Sequence, residues 1–319
     1  NGIEISCINY GCTITKIIVP DRNGNYENIV LGYETFEEYE KGTAYFGAVI
    51  GRAAGRIKGA AFDLDGIPYQ LQQNNNRNHL HGGFEGFHKV LWTAESFETD
   101  NKAGVKFTYT SPNGEAGYPG NVSLVVTYTL DNFDELTIDY HGQTDQKTLL
   151  NMTNHSYFNL SGNLKRDTLK HSLTLKSNSF LELDQELVPT GTIQDVEGTD
   201  FDFRIGRLIQ SGAESGHQQC ILAGKGYDHP FLLGVNHDQE IFLEDPESGR
   251  TLTIETDEAA VVFYSGTQLT SHGEIYGVPS RKYLGICLET QGLPDAVNHP
   301  HLPSWILDKD KEYSSKTKY

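Results

Sequence analysis

Long apolar runs are missing from this chain: no stretch approaches the roughly 18 residues that a membrane-spanning helix requires. Basic residues are scarce as well. Lys and Arg number 25 against 43 acidic residues, and a net charge of -18 repels phosphate backbones and anionic headgroups. Nucleic acid and membranes are therefore not expected as partners, whereas a neutral small molecule is not penalised. Only four cysteines occur, Cys7, Cys12, Cys220 and Cys287, with no C-x-x-C pair and no zinc-ligand spacing. They read as buried free thiols of a reducing compartment. The first residues, Asn1-Gly2-Ile3-Glu4, carry neither a basic segment nor an apolar run, so no leader is expected there. Nucleotide-binding and hydrolase signatures are also lacking. Gly224-Lys225 is followed by Gly226 rather than Ser or Thr, and neither G-x-G-x-x-G opening a helix nor G-x-S-x-G occurs.

What the chain has in abundance is alternation with a period of two. Val122, Leu124, Val126, Tyr128 and Leu130 alternate with polar or smaller neighbours, Asp131-Asn132 opens a turn, and Leu136, Ile138 and Tyr140 resume the pattern. Phe62 and Leu64 lead through Asp65-Gly66 into Ile67, Tyr69 and Leu71, a hairpin whose turn uses positive φ angles. A third hairpin runs from Ile241-Phe242-Leu243 through Pro246-Glu247-Ser248-Gly249 to Leu252 and Ile254. The 33 glycines fit many short strands, while helical signal is confined to Thr35–Tyr39, with Thr35 as N-cap and Glu38 three residues on. With no repeat and no linker, residues 1–319 read as a single all-β unit, two sheets packed face to face.

Four polar clusters interrupt this apolar pattern. In Asn78-His79-Leu80-His81-Gly82-Gly83 a strand would turn His79 and His81 to one side, a possible metal pair, but spacing identifies no third ligand and a hydrogen-bonding role is preferred. The stretch Asn151 to Leu160 packs three amides, hydroxyls and His155 among aromatics, either as a self-satisfied network or as a ligand site. Its sequons at Asn151, Asn154 and Asn159 would block such a site if glycosylated, which also favours the cytoplasm. Gly226-Tyr227-Asp228-His229 reads as a turn entering the strand Phe231-Leu232-Leu233. Glu289 ends the apolar strand Tyr283 to Leu288, and a carboxylate so placed is either paired or functional.

Taken together, the clusters resemble the aldose 1-epimerase (galactose mutarotase) family from end to end. The blocks that carry the resemblance are Thr153 to Leu160, Leu288-Glu289-Thr290-Gln291 with Pro294-Asp295-Ala296, and Gly226-Tyr227-Asp228-His229. Leu80-His81-Gly82-Gly83, Gly117-Tyr118-Pro119-Gly120, Val19-Pro20-Asp21-Arg22 and Val30-Leu31-Gly32-Tyr33 support them in family order. The resemblance implies a large antiparallel β-sandwich of the galactose mutarotase-like supersandwich type, with very little helix. It implies a cofactor-free, metal-free isomerase acting on free hexoses such as galactose and glucose, cytoplasmic, as a monomer or homodimer. It maps His155 onto the general acid and Glu289 onto the general base, and Arg56, His81 and Asp228 onto sugar-holding positions. Two residues depart from the pattern: Gly55 stands where many members carry Asn, and Val262 where some carry a sugar-contacting Gln.

Anomerisation needs one proton removed from the anomeric hydroxyl and one delivered to the ring oxygen, which a carboxylate and an imidazolium can supply without a cofactor. A neighbouring carboxylate is expected to favour the protonated imidazole, placing the upper pH limb above about 6.5. Tyr157 or Phe158 would wall the sugar. Three alternatives remain at this level: a hexose-6-phosphate epimerase, which would want additional Arg or Lys near its site; a silent sugar-binding or regulatory protein; and an inverting glycosidase using Asp228 and Glu289.

Overall fold

The alternating segments form the expected strands in a computed structural model, which describes residues 2–234, 241–270 and 272–319. Asn1 lies outside these residues. Val122–Asp131 pairs antiparallel with Leu136–Thr144, placing Tyr128 opposite Ile138 and Val126 opposite Tyr140, with the apolar set buried except for the half-buried Leu130. Ala61–Leu64 pairs with Ile67–Gln70 through Asp65 and Gly66, whose φ angles of 55° and 81° suit a two-residue hairpin turn. Ile241–Glu244 pairs with Thr251–Thr256 as the third hairpin.

These strands assemble into two large sheets. One has nine strands, with Glu312–Lys318 at its centre between Thr251–Thr256 and Leu136–Thr144. The other has six, in the order Tyr157–Phe158, Ile286–Gln291, Ala260–Tyr264, Asp228–Leu232, Ser179–Leu183, Pro189–Asp195. Their facing sides share one core: Leu124, Val126 and Ile138 from the first pack in the same cluster as Phe231, Phe263 and Leu288 from the second. A Thr290–Thr317 hydroxyl contact of 2.7 Å links the two sheets within it.

Helix is confined to short pieces among the described residues. Phe36–Lys41 starts at Thr35, whose backbone N–H donates to Glu38 Oε2 at 2.9 Å. Gln210–Glu214 and Gln218–Leu222 were not foreseen, since five residues do not complete the two turns over which a helical period shows. Among the described residues no helix is long and apolar enough to cross a membrane. Two strand boundaries differ from the sequence reading. Asp228 is the first residue of its strand rather than part of a turn, and Glu289 sits inside Ile286–Gln291 rather than at its end. Tyr283, with φ 63°, lies in the approach to that strand.

Candidate active site

The six-stranded sheet has an apolar face and a polar one, and period two decides which residue goes where. Along Ile286–Gln291, Ile286 and Leu288 enter the core, so Cys287, Glu289 and Gln291 face the other side. Val262 pairs opposite Glu289 and Tyr264 opposite Cys287, while Val261 and Phe263 go to the core. Asp228 pairs opposite Tyr264, and Tyr157 opposite Cys287. The polar face is thus the floor of a cavity of about 310 Å³, lined also by Tyr45, Arg56, His81 and His155. All five residues singled out in the sequence, His155, Glu289, Arg56, His81 and Asp228, line it. Phe158 does not: it joins the core, and of the two aromatic candidates only Tyr157 forms a wall.

His155 is held by its neighbours' backbone and by amides that never reach the cavity. Its N–H donates to Ala48 O at 2.9 Å, and its own carbonyl accepts from Gly47 N–H at 3.0 Å. Asn154 donates to Gly47 O and accepts from Ser156; Asn151 exchanges two hydrogen bonds with Gly292; Asn159 donates to Leu284 O. Gly292 and Leu284 flank the Glu289 strand, so these side chains clamp the His155 segment to both ends of it. The amide-rich block is therefore a buried bracing network with a ligand-facing imidazole inserted in it. The same burial leaves no room for a glycan at any of the three sequons.

The second wall comes from Gly55 and the strand Arg56–Ile57 that follows it, paired antiparallel with His79–Leu80. His79 and His81 do not share a face, because His81 turns into the left-handed region at φ 50°. His79 is a structural residue, its ring nitrogens 2.7 Å from Gln72 O and 2.7 Å from the Tyr118 hydroxyl. His81 Nδ1 accepts the Gly55 N–H at 3.2 Å, which leaves Nε2–H as its free donor. Gly55 has φ 77°, and a Cβ there would lie 2.6 Å from Pro294, so glycine is required by conformation and by space. Behind this wall Arg52, which the sequence reading passed over, is fully buried and donates to the carbonyls of Ser111, Pro112, Pro119 and Gly120. The Gly117-Tyr118-Pro119-Gly120 block thus serves the scaffold rather than the cavity.

Arg56 spans the cavity: Nε donates to Asn75 Oδ1 at 3.1 Å, and Nη1 lies 3.5 Å from Asp228 Oδ2. Among the described residues lining the cavity it is the sole Lys or Arg. At the floor, His155 Nε2 stands 3.7 Å from Glu289 Oε1, both side chains buried, and Cys287 Sγ lies 3.5 Å from His155 Nδ1. Burial governs their titration. Desolvation pushes Glu289 well above the usual carboxylate range, with Asp228 adding to the shift and Arg56 opposing it. Asp228 is raised to about 6 by burial against the pull of Arg56. His155 is lowered to about 4, again by burial. The expectation that the carboxylate would hold the imidazole protonated is reversed, because desolvation outweighs the attraction across 3.7 Å.

His81, His155 and Glu289 bring candidate ligand atoms within 4.8 Å of one another, a trio the sequence reading did not foresee. The protonation pattern is wrong for a metal. A ligating histidine normally donates its other N–H to an acceptor, whereas His81 Nδ1 itself accepts a backbone N–H and so keeps the proton on the nitrogen left to face the cavity. Dialysis against a strong chelator is accordingly expected to leave activity unchanged. Loss of activity that added zinc restores would overturn this.

Comparisons with known proteins identify the family. The family model described as aldose 1-epimerase matches residues 1–319. The galactose mutarotase of Rattus norvegicus is 41% identical, over 99% of this chain and 90% of that protein. That of Bos taurus is 42% identical at the same coverage. The crystal structure of an aldose epimerase homologue from C. elegans superposes with a TM-score of 0.90 at 28% identity, covering 100% of this chain and 95% of that one.

Proposed function

The chain belongs to the aldose 1-epimerase family and is an isomerase of anomers, and on that premise we propose that His155 and Glu289 are its acid and base, with a free hexose such as galactose or glucose as substrate. The observation that carries this reading is the 3.7 Å approach of His155 Nε2 to Glu289 Oε1 on the buried cavity floor. The separation exceeds a hydrogen bond and leaves both groups available to a ligand.

Glu289 takes the proton of the anomeric hydroxyl as His155 gives one to the ring oxygen. The bond between the anomeric carbon and the ring oxygen breaks, and the aldehyde turns about its bond to the next carbon. Closure on the other face follows with the two residues exchanging roles. Arg56 and His81 Nε2–H donate to sugar hydroxyls, Asp228 accepts, and Tyr157 supplies the wall. One guanidinium already shared with Asp228 is a poor receptor for a phosphate dianion, which favours the free sugar over a hexose phosphate. Retention of both an acid and a base argues against a silent binder. The four cysteines are free thiols, three of them buried, which supports a reducing, cytoplasmic setting. Because the cavity draws residues from Thr43 to Gln291, the whole chain acts as one catalytic unit, as monomer or homodimer.

Polarimetry on freshly dissolved α-D-galactose and α-D-glucose tests the reading. The approach to equilibrium rotation should accelerate in proportion to enzyme for at least one sugar. Relaxation at the spontaneous rate for both would refute it.

A further inference from the structure

We propose that Gln291 is a further specificity-determining residue, whose Oε1 accepts a hydrogen bond from a ring hydroxyl other than the anomeric one. This deepens the epimerase reading and rests on it. Ten buried side-chain nitrogen and oxygen atoms lack a hydrogen-bond partner among the described residues, and only Glu289 Oε2 and Gln291 Oε1 belong to residues lining the cavity. Both are acceptors. Gln291 is two residues beyond Glu289 on the same strand and therefore on the same polar face.

The amide's orientation is fixed. Gln291 Nε2 donates to Gly292 O at 3.2 Å, so exchanging its nitrogen and oxygen would set two acceptors against each other. Gln291 is fully buried, and an acceptor desolvated in this way is stable only when a donor meets it. Among the described residues no donor meets it; Asn151 Nδ2 bonds instead to the same Gly292 carbonyl. Opposite Glu289 in the register stands Val262, which brings no polar atom to that part of the floor. A polyol lying along the floor presents the missing donors: the anomeric hydroxyl to Glu289, and one further round the ring to Gln291. Arg56 and His81 cannot substitute for Gln291 in this role, since they face the sugar as donors.

The test compares wild type with Gln291→Met, which keeps length and volume but removes the acceptor, on galactose and its 2-, 3-, 4- and 6-deoxy derivatives. On galactose, KM is expected to rise about tenfold or more with kcat within about threefold. On the one deoxy sugar that lacks the contacted hydroxyl, the ratio of variant to wild-type KM should fall to about one. An unchanged KM on galactose, or an equal rise on every deoxy sugar, overturns the assignment. Should Gln291→Met fail to fold, Gln291→Asn, which withdraws the acceptor by one methylene, carries the same comparison. Wild type that anomerises neither these sugars nor glucose refutes the epimerase reading itself, whereas active wild type with an unaffected variant refutes only the role of Gln291.

Discussion

Glu289→Gln is expected to lower turnover by about a hundredfold or more while leaving the fold and sugar affinity largely in place. The amide is close to the carboxylate in shape and still accepts a hydrogen bond through its oxygen, but it cannot take the anomeric proton. Stability supplies an independent readout. Burial raises the folded-state pKa of Glu289 above its unfolded value, so the native protein holds the proton more tightly than the unfolded chain. The stabilisation tied to that proton is complete below the unfolded value of about 4.3 and is lost as pH rises through the folded one. Gln carries no such dependence. The variant's Tm should therefore equal or exceed that of wild type, with a margin that grows as pH rises across this window. Turnover above about a tenth of wild type contradicts the base role, and a Tm margin that shrinks with rising pH contradicts the buried, proton-holding carboxyl.

The hairpins of the scaffold were legible because alternation is a local property. Val122 to Leu130 and Phe62 to Leu71 announce their hairpins, and Asp65-Gly66 announces a turn geometry that Asp65 and Gly66 then adopt. The site was legible only in part, because it is assembled by tertiary contacts. Nothing local says that Arg56, His81, His155, Asp228 and Glu289 converge; the resemblance of whole blocks pointed to them. His79 and His81 show the limit of periodicity, since one left-handed residue sends two alternate side chains to different sides. Glu289 looked like a strand end because the pattern Ile286-Cys287-Leu288 is apolar on both faces, whereas Thr290 packs in the core beside Thr317 and carries the strand on. Gln291 was within reach, two residues past a flagged glutamate. Tyr45, stacked against His155 at 5.6 Å, gave no signal at all. Protonation was the furthest from view, because its sign depends on burial that only the assembled cavity creates.

That reversal sharpens what His155→Asn should do. With His155 Nδ1 beside Cys287 Sγ, Nε2 faces Glu289 Oε1, and the two groups together hold one transferable proton over the middle of the pH range. Its resting place is Glu289, since the carboxyl is raised and the imidazole lowered to about 4. Catalysis uses the partner arrangement, carboxylate and imidazolium, which holds the same proton on the other group and is reached by exchange through solvent, since 3.7 Å is too far for direct transfer. Both arrangements contain the same number of protons, so kcat/KM of wild type should follow the one-proton pair. It falls at about 4, where a second proton arrives on His155, and falls again at the raised value of Glu289, where the last proton leaves. Asp228, at about 6, and Arg56 also face the pair, but both persist in the variant and affect the two proteins alike. In His155→Asn the acid is gone and turnover should drop by about a hundredfold or more, with a much smaller change in affinity. What remains requires only that Glu289 be ionised. Residual activity should therefore climb with pH through the very region where wild type declines, and then level off. Near-normal turnover with an unchanged high-pH decline would place the acid elsewhere, and His81, whose ring centroid is 5.1 Å from that of His155, would be the first residue to test.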